Sequence, residues 1–130
     1  MQHLAHIALV VREYDEALRF YIDVLNFKLI EDTQLSPAKR WVVVAPPGSG
    51  GCSLLLAKAA NEEQRMRIGN QTGGRVFLFL HTDSFQRDFE NLKARGVTII
   101  REPCQEEYGT VAVFADLYGN LWDLIEPRKP

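Results

Sequence analysis

Two hydrophobic periods alternate along this chain, and they run through the same order twice. Residues 4–11 (LAHIALVV) are short, apolar and β-branched, the pattern of a strand. In EYDEALRFYIDVLNF, Tyr14, Ala17, Leu18, Tyr21 and Leu25 fall at i, i+3, i+4, i+7 and i+11, which predicts a helix with one apolar stripe. Asn26 tolerates the left-handed conformation that ends a helix. Strands are predicted at 27–33 (FKLIEDT), 39–45 (KRWVVVA) and 52–58 (CSLLLAK). Ser36-Pro37 and the PPGSGG turn at 46–51 separate them. Residues 59–74 form a polar connector with a short helical turn near 61–67.

The order then recurs. VFLFLHT (76–82) predicts a strand, and SFQRDFENLKAR a helix with Phe85, Phe89 and Leu92 as its stripe and Ser84 as N-cap. Gly96 stands where Asn26 stood. Strands follow at 97–102, interrupted by Pro103, at 110–116 and at 121–126, with the turn LYGN (117–120) between the last two. Tyr14 and Phe85 lie 71 residues apart, Asn26 and Gly96 70, Leu55 and Asp123 68. Each half therefore reads β-α-β-β-β. The expected fold class is α+β: two βαβββ modules, 4–58 and 75–126, in one domain, forming a cupped, mostly antiparallel sheet with helices on its outer face. Such a cup is a natural place for a small ligand.

Composition narrows the partners. The chain has 130 residues, 46% hydrophobic and 25% charged, so it can bury a core without disulfides. A net charge of -2 argues against nucleic acid and against an anionic membrane surface. The N-terminus lacks a basic leader pattern, and Cys52 and Cys104 make neither a CxxC motif nor a disulfide framework. Both features point to a reducing cytoplasm. Glycine-rich phosphate loops are absent: Gly48-Ser49-Gly50 leads into a strand, not a helix.

HIALVV at 6–11, the EALRFYIDVLNFKL helix–strand, TDSFQRDFENLKARGV at 82–97 and the closing DLYGNLWDLIEP at 116–127 together resemble the vicinal oxygen chelate superfamily. These are the glyoxalase I, bleomycin-resistance and extradiol-dioxygenase relatives. The ending, D-x-x-G-x-x-x-[ED]-L, is the most specific piece, and the resemblance spans about residues 4–126. It implies paired βαβββ modules, homodimers sometimes formed with exchanged modules, and in many members a divalent metal (Ni, Zn, Mn or Fe) that binds substrate oxygens. Carried over position by position, it places His6 and Asp123 at two of four metal-ligand positions. Leu55 and Phe77 occupy the other two. Catalytic metal sites usually offer three or more protein ligands, so the set is incomplete. The alternative for His6 is a hydrogen bond to Asp123 or to the backbone.

Other candidates for ligand contact follow from alternation. Arg40 and Trp41 point to opposite faces of one strand, so one of them faces the cup. Arg40 would supply a planar cation, Trp41 a stacking face. Phe77, Phe79 and His81 share one face of the fifth strand, and Tyr108 precedes the seventh, where the resemblance implies substrate contacts. Trp122 alternates against Asp123 and is expected in the core. Three functions are compatible with these residues. The favoured one is a small-molecule binder of the bleomycin-resistance kind with an incomplete metal site. The second is a metal-dependent glyoxalase-like lyase or dioxygenase using His6 and Asp123. The third is a non-catalytic dimerisation module.

Overall fold

The computed structural model describes residues 1–48 and 50–129; of the predicted 46–51 turn, Ser49 lies outside the described residues. The chain divides into two compact units, Met1–Ile68 and Gly69–Pro130. The division falls inside the polar connector.

In the first unit, β1 (His6–Val11) leads into α1 (Tyr14–Leu18) and a π-helical turn (Arg19–Val24), then β2 (Lys28–Ser36), β3 (Lys39–Ala45) and β4 (Ser53–Lys58). The sheet order is β1-β4-β3-β2. β1 runs parallel to β4, and the other pairs are antiparallel. The connector holds the short α2 (Glu62–Arg65), with Asn61 accepting from the Gln64 N–H as its N-cap. The second unit repeats the plan. β5 (Val76–His81), α3 (Phe85–Ala94), β6 (Ile99–Glu106), β7 (Gly109–Ala115) and β8 (Leu121–Pro127) give the order β5-β8-β7-β6, with β5 parallel to β8. Both units are βαβββ modules, and the fold class is α+β.

Each sheet buries one face under its helix. Leu9, Val11, Val42, Val44, Leu54 and Leu56 share a face in the first unit and are almost fully buried beside Tyr14, Ala17 and Tyr21. In the second unit Ala112, Phe114, Trp122 and Leu124 do the same, and Phe114 stacks on Trp122 with ring centroids 5.8 Å apart. Burying such side chains contributes about 1.5–3 kcal/mol each, which is what fixes strand register.

Two local predictions change. The first helix is not α-helical throughout: beyond Leu18 it widens, and the Leu25 N–H donates to the Phe20 carbonyl five residues back at 3.0 Å. The wider turn takes Leu25 off the buried stripe, and Phe27 fills the core beside Tyr21 instead, centroids 5.7 Å apart. The sixth strand runs beyond the predicted 102, to Glu106, past an interruption at Pro103. The register shifts between Arg101 and Cys104, so the residue without an N–H sits in an irregularity where no ladder bond is asked of it. Ser84 caps α3 as expected, accepting from the Arg87 N–H at 3.4 Å.

Candidate functional site

The face of each sheet turned away from its helix carries most of the candidate residues; Arg40 and Tyr108 lie elsewhere. In the first unit, cross-strand partners Ala8, Leu55, Val43 and Glu31 form a row across that open face. In the second unit the corresponding row is Phe79, Asp123, Val113 and Arg101. The two rows match element by element, at spacings of 71, 68, 70 and 70 residues.

Arg40 and Trp41 divide between the faces of β3. Arg40 lies on the helix side: its guanidinium grips Asp32 with two nitrogens (3.1 and 2.6 Å), reaches Asp15 at 2.8 Å and lies 5.1 Å from the Tyr14 ring centroid. Its backbone N–H donates to the Tyr14 hydroxyl at 3.2 Å. The hydrogen bonds it donates to Asp32, then Asp15, hold this guanidinium's pKa above its usual value. Arg40 thus ties β2 and β3 to α1 and is already occupied. Trp41 lies on the open face, where its ring meets that of His6 edge-on at 6.0 Å. His6 is exposed and makes no hydrogen bond among the described residues.

In the second unit Phe79 is 63% exposed. His81 is exposed two residues further along, opposite Ile125 and on the same face. Phe77 falls at a register shift of β5 and is half-buried. Asp123 stands between Phe79 and Val113, half-buried, without a hydrogen bond among the described residues. Burial pushes its carboxyl above the usual range, and the charge of Arg101 pulls it partly back. Tyr108, in the β6–β7 turn, is exposed, and its carbonyl accepts from the Arg128 N–H at 2.8 Å.

Arg101 is a member of this face that the sequence reading did not single out. One terminal nitrogen donates to Cys104 Sγ and to Glu106 Oε1, both at 2.9 Å. The Cys104 thiol in turn donates to Glu106 at 3.4 Å. These bonds, from Cys104 and then Arg101, lower the Glu106 pKa, while burial raises that of the thiol. A thiol held protonated is a poor nucleophile. The signal that could have found Arg101 is its step of 70 residues from Glu31.

The closing D-x-x-G-x-x-x-D-L motif separates into two tasks. Asp116 is buried and accepts from the Tyr118 and Asn120 N–H groups and the Asn120 side-chain amide, each at 2.9 Å. It builds the turn that aims β8. Only Asp123 reaches the open face.

The residues at the four positions that the resemblance assigns to metal ligands, His6, Asp123, Leu55 and Phe77, are one imidazole, one carboxylate and two hydrocarbons. His6 has Ser53 opposite and Leu55 further along the same face of β4; Asp123 has Phe79 and Val113 on either side and the cationic Arg101 beyond. Among the described residues no group of three or more His, Cys, Asp or Glu side chains gathers as a metal would require. This donor set does not fit a catalytic divalent metal.

The family model described as Glyoxalase/Bleomycin resistance protein/Dioxygenase superfamily matches residues 3–124. An uncharacterized protein of Shewanella frigidimarina (strain NCIMB 400) is 60% identical over 126 residues, 96% of this chain and 93% of that protein. The uncharacterized protein YurT of Bacillus subtilis (strain 168) is 30% identical, with 92% and 94% covered. Among solved structures, UcmS2 superposes with a TM-score of 0.84 at 28% identity over 97% of this chain and 98% of its own. TnmS3, described as an antibiotic binding protein from Streptomyces sp. CB03234, gives 0.78 at 28% identity over 98% of both chains.

Proposed function

The chain belongs to the Glyoxalase/Bleomycin resistance protein/Dioxygenase superfamily, and on that premise we propose that it binds a planar, largely apolar small molecule on its open sheet faces without the family's metal centre. The observation that carries this reading is the side-chain content of those faces. Trp41 and Phe79 offer ring surfaces, while hydrocarbons stand at two of the four ligand positions. The likeness to an antibiotic binding protein supports the same class of activity. A metal-dependent lyase or dioxygenase would rest on His6 and Asp123 alone and would lack a base at Leu55.

Thermal denaturation against a panel of polycyclic aromatic compounds tests the reading. A bound ligand raises Tm as its concentration passes Kd. The rise is expected to shrink in Trp41→Ala and in Phe79→Ala, and a flat response across the panel would overturn it.

We further propose that the protein acts as a homodimer in the cytoplasm. The edge strand β2 is exposed along its whole length, with Leu29, Ile30 and Leu35 at least half exposed, a surface that pairing would cover. Two free thiols suit a reducing compartment. No helix among the described residues is long and apolar enough to cross a membrane. Sedimentation equilibrium at micromolar concentration tests the dimer, and a purely monomeric profile would remove it.

A further inference from the structure

Resting on the reading above, we propose that the open face of the second unit selects an uncharged planar ligand carrying a conjugated carbonyl oxygen, which accepts a hydrogen bond from Arg101. The register sets the stage. Phe79, Asp123, Val113 and Arg101 are direct cross-strand neighbours on four adjacent strands. At about 4.8 Å per strand the row spans about 14 Å, enough for two or three fused rings. Val113 is the apolar member of the row, and the buried pair Val111 and Ile125 stands next to it on the same face. The longer side chains at its two ends are exposed: a phenyl ring at one and a guanidinium, 53% exposed, at the other.

Arg101 is both held and incompletely used. Its bonds to Cys104 and Glu106 engage one terminal nitrogen and fix the plane of the group. The other terminal nitrogen and Nε make no hydrogen bond among the described residues. A hydrocarbon lying over them would strip their water and return nothing, at a cost comparable to a lost hydrogen bond.

The local charge selects among acceptors. Glu106 already offsets the charge of Arg101 at 2.9 Å, and Asp123 adds a second carboxyl, in the row itself. An anionic ligand would meet two carboxyls against one guanidinium. A carbonyl oxygen takes the free N–H groups without that repulsion. The same module position in the first unit is Glu31, which accepts from Thr33 at 2.9 Å, so the donor belongs to the second sheet alone.

Three ligands on one planar tricyclic frame separate these terms: 9-fluorenone, fluorene and fluorene-2-carboxylate, measured by equilibrium dialysis against the intact chain and Arg101→Met. Fluorenone is expected to bind about tenfold tighter than fluorene, the usual worth of a hydrogen bond from a charged donor. That preference should vanish in Arg101→Met, with fluorene bound at least as tightly as by the intact chain because the penalty on the guanidinium is gone; that binding also reports that the variant is folded. The carboxylate should bind more weakly than the ketone. Equal affinity for ketone and hydrocarbon, or a preference that survives Arg101→Met, overturns the inference and leaves the binding reading standing. Tightest binding by the carboxylate overturns it in favour of an anion site. Failure of all three to bind overturns both.

Discussion

Leu55 and Asp123 hold the same place in the two modules. Each sits in the last strand of its module, between a parallel neighbour (Ala8 or Phe79) and an antiparallel one (Val43 or Val113). One sheet therefore has a hydrocarbon at its centre where the other has a carboxyl. This asymmetry puts a titratable group in the middle of the second sheet and none at the same place in the first.

Asp123 carries a pH signature. Burial raises its folded pKa above the unfolded value, so ionisation costs more in the folded state. Stability linked to this group is full when it is protonated in both states and falls as pH rises through the folded pKa. Asp123→Asn is therefore expected to be more stable than the parent at neutral pH, with the gain fading as pH drops below the ordinary carboxylate range. Tm measured from pH 3 to 8 for both proteins checks the sign. A variant less stable at pH 7 would contradict it.

The metal positions give a binding prediction. After chelation, titration with Ni²⁺, Zn²⁺, Mn²⁺ or Fe²⁺ is expected to show no micromolar site that both His6→Ala and Asp123→Ala abolish. Calorimetry decides it. A site lost in both variants would restore the metal-dependent reading.

Arg40 supplies a stability prediction free of ligand. Its two aspartate partners lie on different elements, Asp15 on α1 and Asp32 on β2. Arg40→Ala is expected to cost about 1 kcal/mol, at the upper end for a partly exposed pair because the contact to Asp32 is bidentate. Urea denaturation measures the loss, and added salt should reduce the difference.

Two glycines share a backbone conformation but not a neighbourhood. Gly69 and Gly96 have φ of +76° and +73°. A Cβ at Gly69 would run into the Tyr118 carbonyl, whereas at Gly96 it would meet open space. Gly96→Ala is expected to cost about 1 kcal/mol for the left-handed backbone alone. Gly69→Ala should cost distinctly more, because the turn holding Tyr118 must move as well. Paired denaturation curves compare the two.

Much of this protein is set by local pattern. Apolar residues at helical and strand periods, Asn26 at φ 62°, Ser84 as N-cap and the Asp116–Asn120 turn act within a few residues of themselves. Their physics is short-range, so the sequence by itself determined two βαβββ modules and the family to which they belong. It also placed Arg40 and Trp41 on opposite faces, because strand alternation is local.

Which face each one takes was decided only by tertiary structure. Tyr14 and Asp15 on α1 and Asp32 on β2 converge from distant positions to hold Arg40 on the helix side, leaving Trp41 to meet His6. Arg101 was hidden for a related reason. Its place in a row with Asp123 depends on the register of three strands and on the irregularity that absorbs Pro103. Register is fixed by long-range burial of one sheet face, and no periodicity along a single strand contains it.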